Sequence, residues 1–166
     1  MKRALDLRAL SMRVGQTFRA RGQRIATAES CTAGWIAKAI TDIAGSSQWF
    51  EAGLVTYSNG SKIALLGVRS ATLRRHGAVS EAVVREMARG ALAVTRADVC
   101  VAVSGIAGPD GGTPDKPVGT VWFCWAWRRG RSFRLRTRRV HFTGGRKAVR
   151  EKSVALALRG LLRRTP

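Results

Sequence analysis

Residues 27–35 read TAESCTAGW and place two nucleophile-bearing side chains, Ser30 and Cys31, in one turn directly behind Glu29. The preceding RIATA reads as a strand, and TAGWIAKAITDIAG, 32–45, carries a helical apolar stripe of Trp35, Ile36, Ala39, Ile40 and Ile43. The pair therefore falls at a strand-to-helix turn. A helix entrance offers unpaired N–H groups and a partial positive charge, which favour an alkoxide, an oxyanion or a phosphate. Acyl transfer through serine or cysteine fits that setting. The structural alternative is that Ser30 or Thr32 only caps the helix, with Glu29 a capping carboxylate. A thiolate is the better intrinsic nucleophile, and a helix N-terminus would lower its pKa.

A serine needs a base. TYSNGSK, 56–62, puts Tyr57 and Lys62 just after a strand. A charged lysine is a poor base. To take a serine proton its pKa must fall from about 10.4 toward neutrality, roughly 4 kcal/mol of differential stabilisation for about three units. Burial and neighbouring cations supply such a shift; otherwise Lys62 is a solvated lysine. The glycines of SGIAGPDGG, at 105, 108, 111 and 112, let backbone amides approach a ligand closely, although an ordinary surface loop has the same composition. It is no Walker A loop, because GxxxxGK[ST] is missing. Asp110 could bind a cation or cap a turn. TGGRKAVR, 143–150, places Arg146 at a helix start, a plausible phosphate clamp or else a surface arginine. His76 and His141 are the only histidines and lie far apart, so neither a metal site nor a Ser-His pair is supported.

These stretches need elements to hold them. Leu5, Leu7, Leu10, Val14 and Phe18 give a helix over 5–21, ended by Gly22. A strand follows at 24–28, the helix at 32–45, and a strand at 50–58. Asn59 or Ser61 caps a short helix that includes Lys62, and a second short helix spans 70–76. Ser80 caps a helix running to about Arg96. DVCVAVSG, 98–105, is apolar enough for a strand buried on both faces. VGTVWFCWAW is a strand, and SFRLRTRRVHF, 132–142, pairs with it antiparallel after the turn at 128–130. GGRKAVREKSVALALRGLLRR closes with a long helix bearing Arg159, Arg163 and Arg164. This alternation predicts an α/β sandwich with a mixed, mostly parallel sheet and one antiparallel hairpin, built as a single domain over 1–166.

Composition bounds the rest. The 166 residues are 45% hydrophobic, enough for one sizeable core. No apolar run approaches the roughly 20 residues of a membrane span. MKRALDLRALSMRVG lacks an apolar signal region, so a cytoplasmic location is expected. Cys31, Cys100 and Cys124 have no disulfide or zinc spacing; Cys100 and Cys124 read as core residues. The net charge of +20 predicts attraction to polyanions or phosphorylated ligands. RRGRSFRLRTRR, 128–139, would suit a nucleic-acid surface, yet it lacks interleaved aromatics and matches no nucleic-acid motif. A basic nucleic-acid-associated module without catalysis is thus the alternative function, and the less favoured one.

Taken together, TAESCTAGWIAKAITDIAGSSQWFEAGLVTYSN, GAVSEAVVREMARGAL, SGIAGPDGGTPDKPVGTVWF and FTGGRKAVR resemble the CinA C-terminal domain family, in the same order over roughly 5–163. Ala33, SNGSK and GGR stand where that family more often has glycine, SNEAK and GDR. The resemblance implies a three-layer α/β/α domain that associates as a homo-oligomer. It also implies hydrolysis of the carboxamide of nicotinamide mononucleotide, without metal or organic cofactor. On the same footing it implies catalytic roles for Ser30, Tyr57 and Lys62, and puts Arg146 at the family's basic position after the FxG turn. The expected mechanism adds an oxyanion and substrate set of Cys31, Thr32, Gly105, Gly108 and Arg146. The lysine base and the resemblance both favour Ser30 over Cys31.

Overall fold

The computed structural model of the chain describes residues 6–163; Leu5 and Arg164, assigned above to the first and last helices, lie outside the described residues. Five strands form one sheet in the order β2-β1-β3-β4-β5, with β1 Ile25–Glu29, β2 Phe50–Val55, β3 Val99–Gly105, β4 Thr120–Arg129 and β5 Ser132–His141. β1 is parallel to β2 and β3, whereas β3–β4 and β4–β5 are antiparallel. Every strand except β4 therefore runs the same way, which is the expected mixed, mostly parallel sheet. The helices are α1 Leu7–Ala20, α2 Trp35–Thr41, α3 Asn59–Leu66, α4 Ser70–His76, α5 Glu81–Val94 and α6 Arg146–Leu161.

Strand alternation sorts side chains by size onto the two faces. Val121, Phe123, Trp125 and Trp127 of β4, with Val99, Val101 and Val103 of β3, meet α1, α2 and α6. The opposite face is paved with Ala26, Ala28, Cys100, Ala102, Cys124 and Ala126, and α3, α4 and α5 pack there. Each large side chain buried this way contributes about 1.5–3 kcal/mol. Small residues let helices come close: a Cβ at Gly160 would fall 2.0 Å from the Trp125 ring, whose Nε1 donates to Ala157 O at 3.0 Å. The core reading of Cys100 and Cys124 holds, since both are fully buried.

Much of the arginine-rich hairpin is anchored inward. Arg128 donates to the carbonyls of Leu92, Thr95 and Ala97. Arg136 donates to Gly160 O at 2.7 Å and lies 4.9 Å and 5.2 Å from the Trp125 and Trp127 rings. Arg139 reaches Asp115 O at 2.6 Å. None of the described helices is long and apolar enough to cross a membrane.

Several boundaries differ from the sequence reading. α2 begins at Trp35 rather than Thr32 and ends at Thr41. β2 stops at Val55, so Thr56 and Tyr57 lie beyond the strand. Ser58, not Asn59 or Ser61, caps α3, accepting from Ser61 N at 3.0 Å. α5 ends at Val94, although Ser80 caps it as expected. The parallel direction of β1, β2 and β3 brings their C-terminal ends to one rim of the sheet, where ligands of open α/β sheets bind.

Candidate active site

Glu29 ends β1 with its carboxylate fully buried. It accepts from Ile36 N at 3.0 Å, Ala37 N at 2.9 Å and Thr27 Oγ1 at 3.1 Å. The carboxylate thus satisfies the first free amides of α2, the capping role expected of it. Residues 30–34 bridge strand and helix as a tight turn, closed by Ala33 N to Ser30 O at 3.0 Å and Trp35 N to Thr32 O at 3.1 Å. Ala33 and Gly34 have φ of 50° and 87°. Two consecutive left-handed residues cannot sit inside an α-helix, which is why α2 starts late. The amides of Cys31 and Thr32 accordingly belong to this turn and not to the first turn of a helix, a correction to the sequence reading.

Lys62 lies on α3 and is 1% exposed. Its Nζ is 3.1 Å from Ser30 Oγ, 2.8 Å from Thr56 O and 3.2 Å from Tyr57 O. Ending β2 at Val55 is what places those two carbonyls under the amine. A charged amine donates to all three oxygens. A neutral amine donates to the two carbonyls and keeps its lone pair for the Ser30 hydroxyl, so both states are satisfied without movement. Burial pushes the Lys62 ammonium down from its usual 10.5.

Burial acts oppositely on Cys31, whose thiol is pushed up to about 12, with the Glu29 charge adding to the effect. The lowered thiol pKa expected from a helix N-terminus is therefore overturned. The Tyr57 phenol does not touch Lys62; it accepts from Arg146 at 3.0 Å, while Arg146 also donates to Gly108 O at 2.8 Å. Gly108, at φ 85°, thus contributes a carbonyl where an amide was expected.

A cavity of about 230 Å³ opens between these groups. Ser30, Cys31, Tyr57, Lys62, Gly105 and Arg146 line it, together with Ala78, Val79, Ser104 and Ala107. Thr32 and Gly108, also expected at the site, are not on its wall. Thr32 is fully buried and turns its carbonyl to Arg150 at 3.1 Å. Sequence reasoning missed Ser104, Ala78 and Val79, which come from β3 and the segment before α5, and Arg150, which grips the turn at Cys31 O and Thr32 O. The signal for Arg150 was available: four residues after Arg146, it lies on the same helical face.

A buried amine on a serine hydroxyl and the Arg146 guanidinium thus face one cavity. The CinA C-terminal domain model matches residues 7–165. The chain belongs to the CinA C-terminal domain family. It is 60% identical over 156 residues to the nicotinamide-nucleotide amidohydrolase PncC of Escherichia coli K12, covering 94% of this chain and 93% of that protein. The PncC of Pseudomonas putida is 52% identical over 153 residues, covering 92% and 93%. The crystal structure of the competence/damage inducible protein CihA from Agrobacterium tumefaciens superposes with a TM-score of 0.90 at 42% identity, covering 95% of this chain and 94% of that one. Membership in this family covers nearly the whole described fold, site included.

Proposed function

We propose that the chain hydrolyses the carboxamide of nicotinamide mononucleotide, giving nicotinate mononucleotide and ammonia, with Ser30 as nucleophile and Lys62 as its base. The observation that carries the reading is the 3.1 Å contact between Lys62 Nζ and Ser30 Oγ in a buried setting that disfavours the ammonium. Its substrate comes from the name of the 60% identical E. coli relative.

In this reading neutral Lys62 accepts the hydroxyl proton as Ser30 Oγ bonds to the carboxamide carbon. The oxyanion is met by the backbone N–H of Cys31, which borders the cavity. The C–N bond breaks, and the nitrogen leaves as ammonia with the proton Lys62 had taken. Water then attacks the acyl-serine; Lys62 takes its proton and returns one to Ser30 as nicotinate mononucleotide departs. Arg146 meets the substrate phosphate with donors left over from Gly108 O and Tyr57. Tyr57, bonded to Arg146, orients that guanidinium and closes the outer wall; the direct amine–hydroxyl contact makes a phenol relay unnecessary. The steps require no metal and no organic cofactor. The reading includes the single domain, a homo-oligomer and a cytoplasmic location.

Ammonia release from several pyridine nucleotides, followed in a coupled assay, tests this. Ser30→Ala should lower kcat by at least about 10³-fold, while Cys31→Ala should keep most of the activity. Full activity in Ser30→Ala would end the serine proposal.

A further inference from the structure

The chemistry above leaves Arg150 unused, yet its guanidinium grips the turn that carries the nucleophile. We propose that Arg150 is a positioning residue: by spanning Cys31 O and Thr32 O it holds the turn so that the Ser30 hydroxyl and the Cys31 N–H stay presented at the cavity. The inference rests on the reading of Ser30 as nucleophile.

Arg150 Nε donates to Cys31 O and its terminal nitrogen to Thr32 O, each at 3.1 Å. A planar fork spanning successive carbonyls fixes direction as well as distance. The turn's own bonds leave one peptide free. Ala33 N bonds Ser30 O and Trp35 N bonds Thr32 O, but among the described residues Cys31 O accepts only from Arg150. Arg150 therefore supplies the restraint on that peptide, next to Ser30 and Cys31 on the cavity wall. The clamp acts on a costly backbone: Ala33, a residue with a Cβ, sits at φ 50°, in the left-handed region. The guanidinium is itself held 5.3 Å from the Trp35 ring, at the first residue of α2.

Beyond the clamp, a separate open cavity of about 440 Å³ is lined by Ala33, Gly34, Trp35, Lys38 and Arg150. A small cation can reach the emptied position from that side, which makes chemical rescue feasible. Arg150→Ala should lower kcat by about 10²-fold and leave KM within about twofold. Methylguanidinium at about 50 mM should restore at least about tenfold of the loss, and methylammonium should not, because it lacks the fork. Unchanged kcat, a rise confined to KM, or loss without guanidinium rescue overturns the proposal. If Arg150→Ala does not fold, Arg150→Lys serves instead: its single ammonium cannot span both carbonyls, so wild-type kcat in that variant overturns the proposal. Amide exchange over residues 31–34, read without substrate, should quicken in the same variant and slow again with methylguanidinium; unchanged exchange also overturns it. Ser30→Ala, assayed in parallel, separates the two ideas. Activity in Ser30→Ala removes the nucleophile and this proposal together, whereas an inactive Ser30→Ala beside a fully active Arg150→Ala removes this one alone.

Discussion

In the proposed reaction, Lys62 is the residue whose charge decides the chemistry. Its ammonium is pushed down from 10.5 by burial, and no acid forms an ion pair with it among the described residues. Only the neutral amine can take the Ser30 proton, so kcat/KM should rise with pH, with unit slope, and level off below 10.5. A profile flat from acid to alkaline pH would exclude the lysine base. Lys62→Arg keeps the charge permanently and should lower kcat by about 10²–10⁴-fold at every pH. The same shift has a stability consequence of definite sign. Unfolded Lys62 holds its proton up to the ordinary value, while folded Lys62 releases it earlier. Between the two, the unfolded state binds more protons, so stability rises with pH in that window and is flat below it. Urea titrations of wild type and Lys62→Met should show their stability difference changing in wild type's favour as pH climbs. A constant difference would mean that folding does not shift this amine.

At the scale of elements, one carboxylate determines where α2 starts. Glu29 receives the Ile36 and Ala37 amides from the end of β1, so the five residues between strand and helix close into a turn. Glu29→Gln keeps the shape but replaces an acceptor oxygen with a donor facing an amide. Hydrogen bonds to charged groups contribute about 1.5–3 kcal/mol, so Tm should fall by about 3–12 °C, with kcat reduced because the Ser30 turn loosens. Calorimetry showing Tm within about 1 °C of wild type would remove this account. The same element shows what was legible in the chain. The apolar stripe from Trp35 to Ile43 announced a helix, and RIATA announced a strand before it. The intervening turn was not legible, because its form depends on Ala33 adopting a left-handed φ that alanine by itself does not signal. Likewise Lys62 could be suspected from TYSNGSK, but its contact with Ser30 depends on β2 pairing beside β1. Arg150 shares a helical face with Arg146, yet that spacing does not reveal its partners, two carbonyls 118 and 119 residues away.

Across the whole molecule, charge is the term that packing does not absorb. Arg128, Arg136 and Arg139 have inward carbonyl partners, and Arg24, Lys38, Arg69 and Arg85 face acids. The full sequence still carries a net charge of +20. Those charges repel more strongly in the compact state than in the expanded chain. Raising NaCl from about 0.01 M to about 1 M shortens the screening length from about 30 Å to about 3 Å. Tm should therefore climb with salt by several degrees, in contrast to a fold held by exposed ion pairs, which loses stability on screening. A Tm that falls over this range would show that attractive pairs dominate the surface. The same titration, repeated with a short DNA duplex, weighs the polyanion alternative. Phosphate contacts release counterions, so any binding should weaken linearly in log salt and be insensitive to Ser30→Ala. Absence of binding at the lowest salt removes the polyanion alternative and leaves the charge as a load on stability.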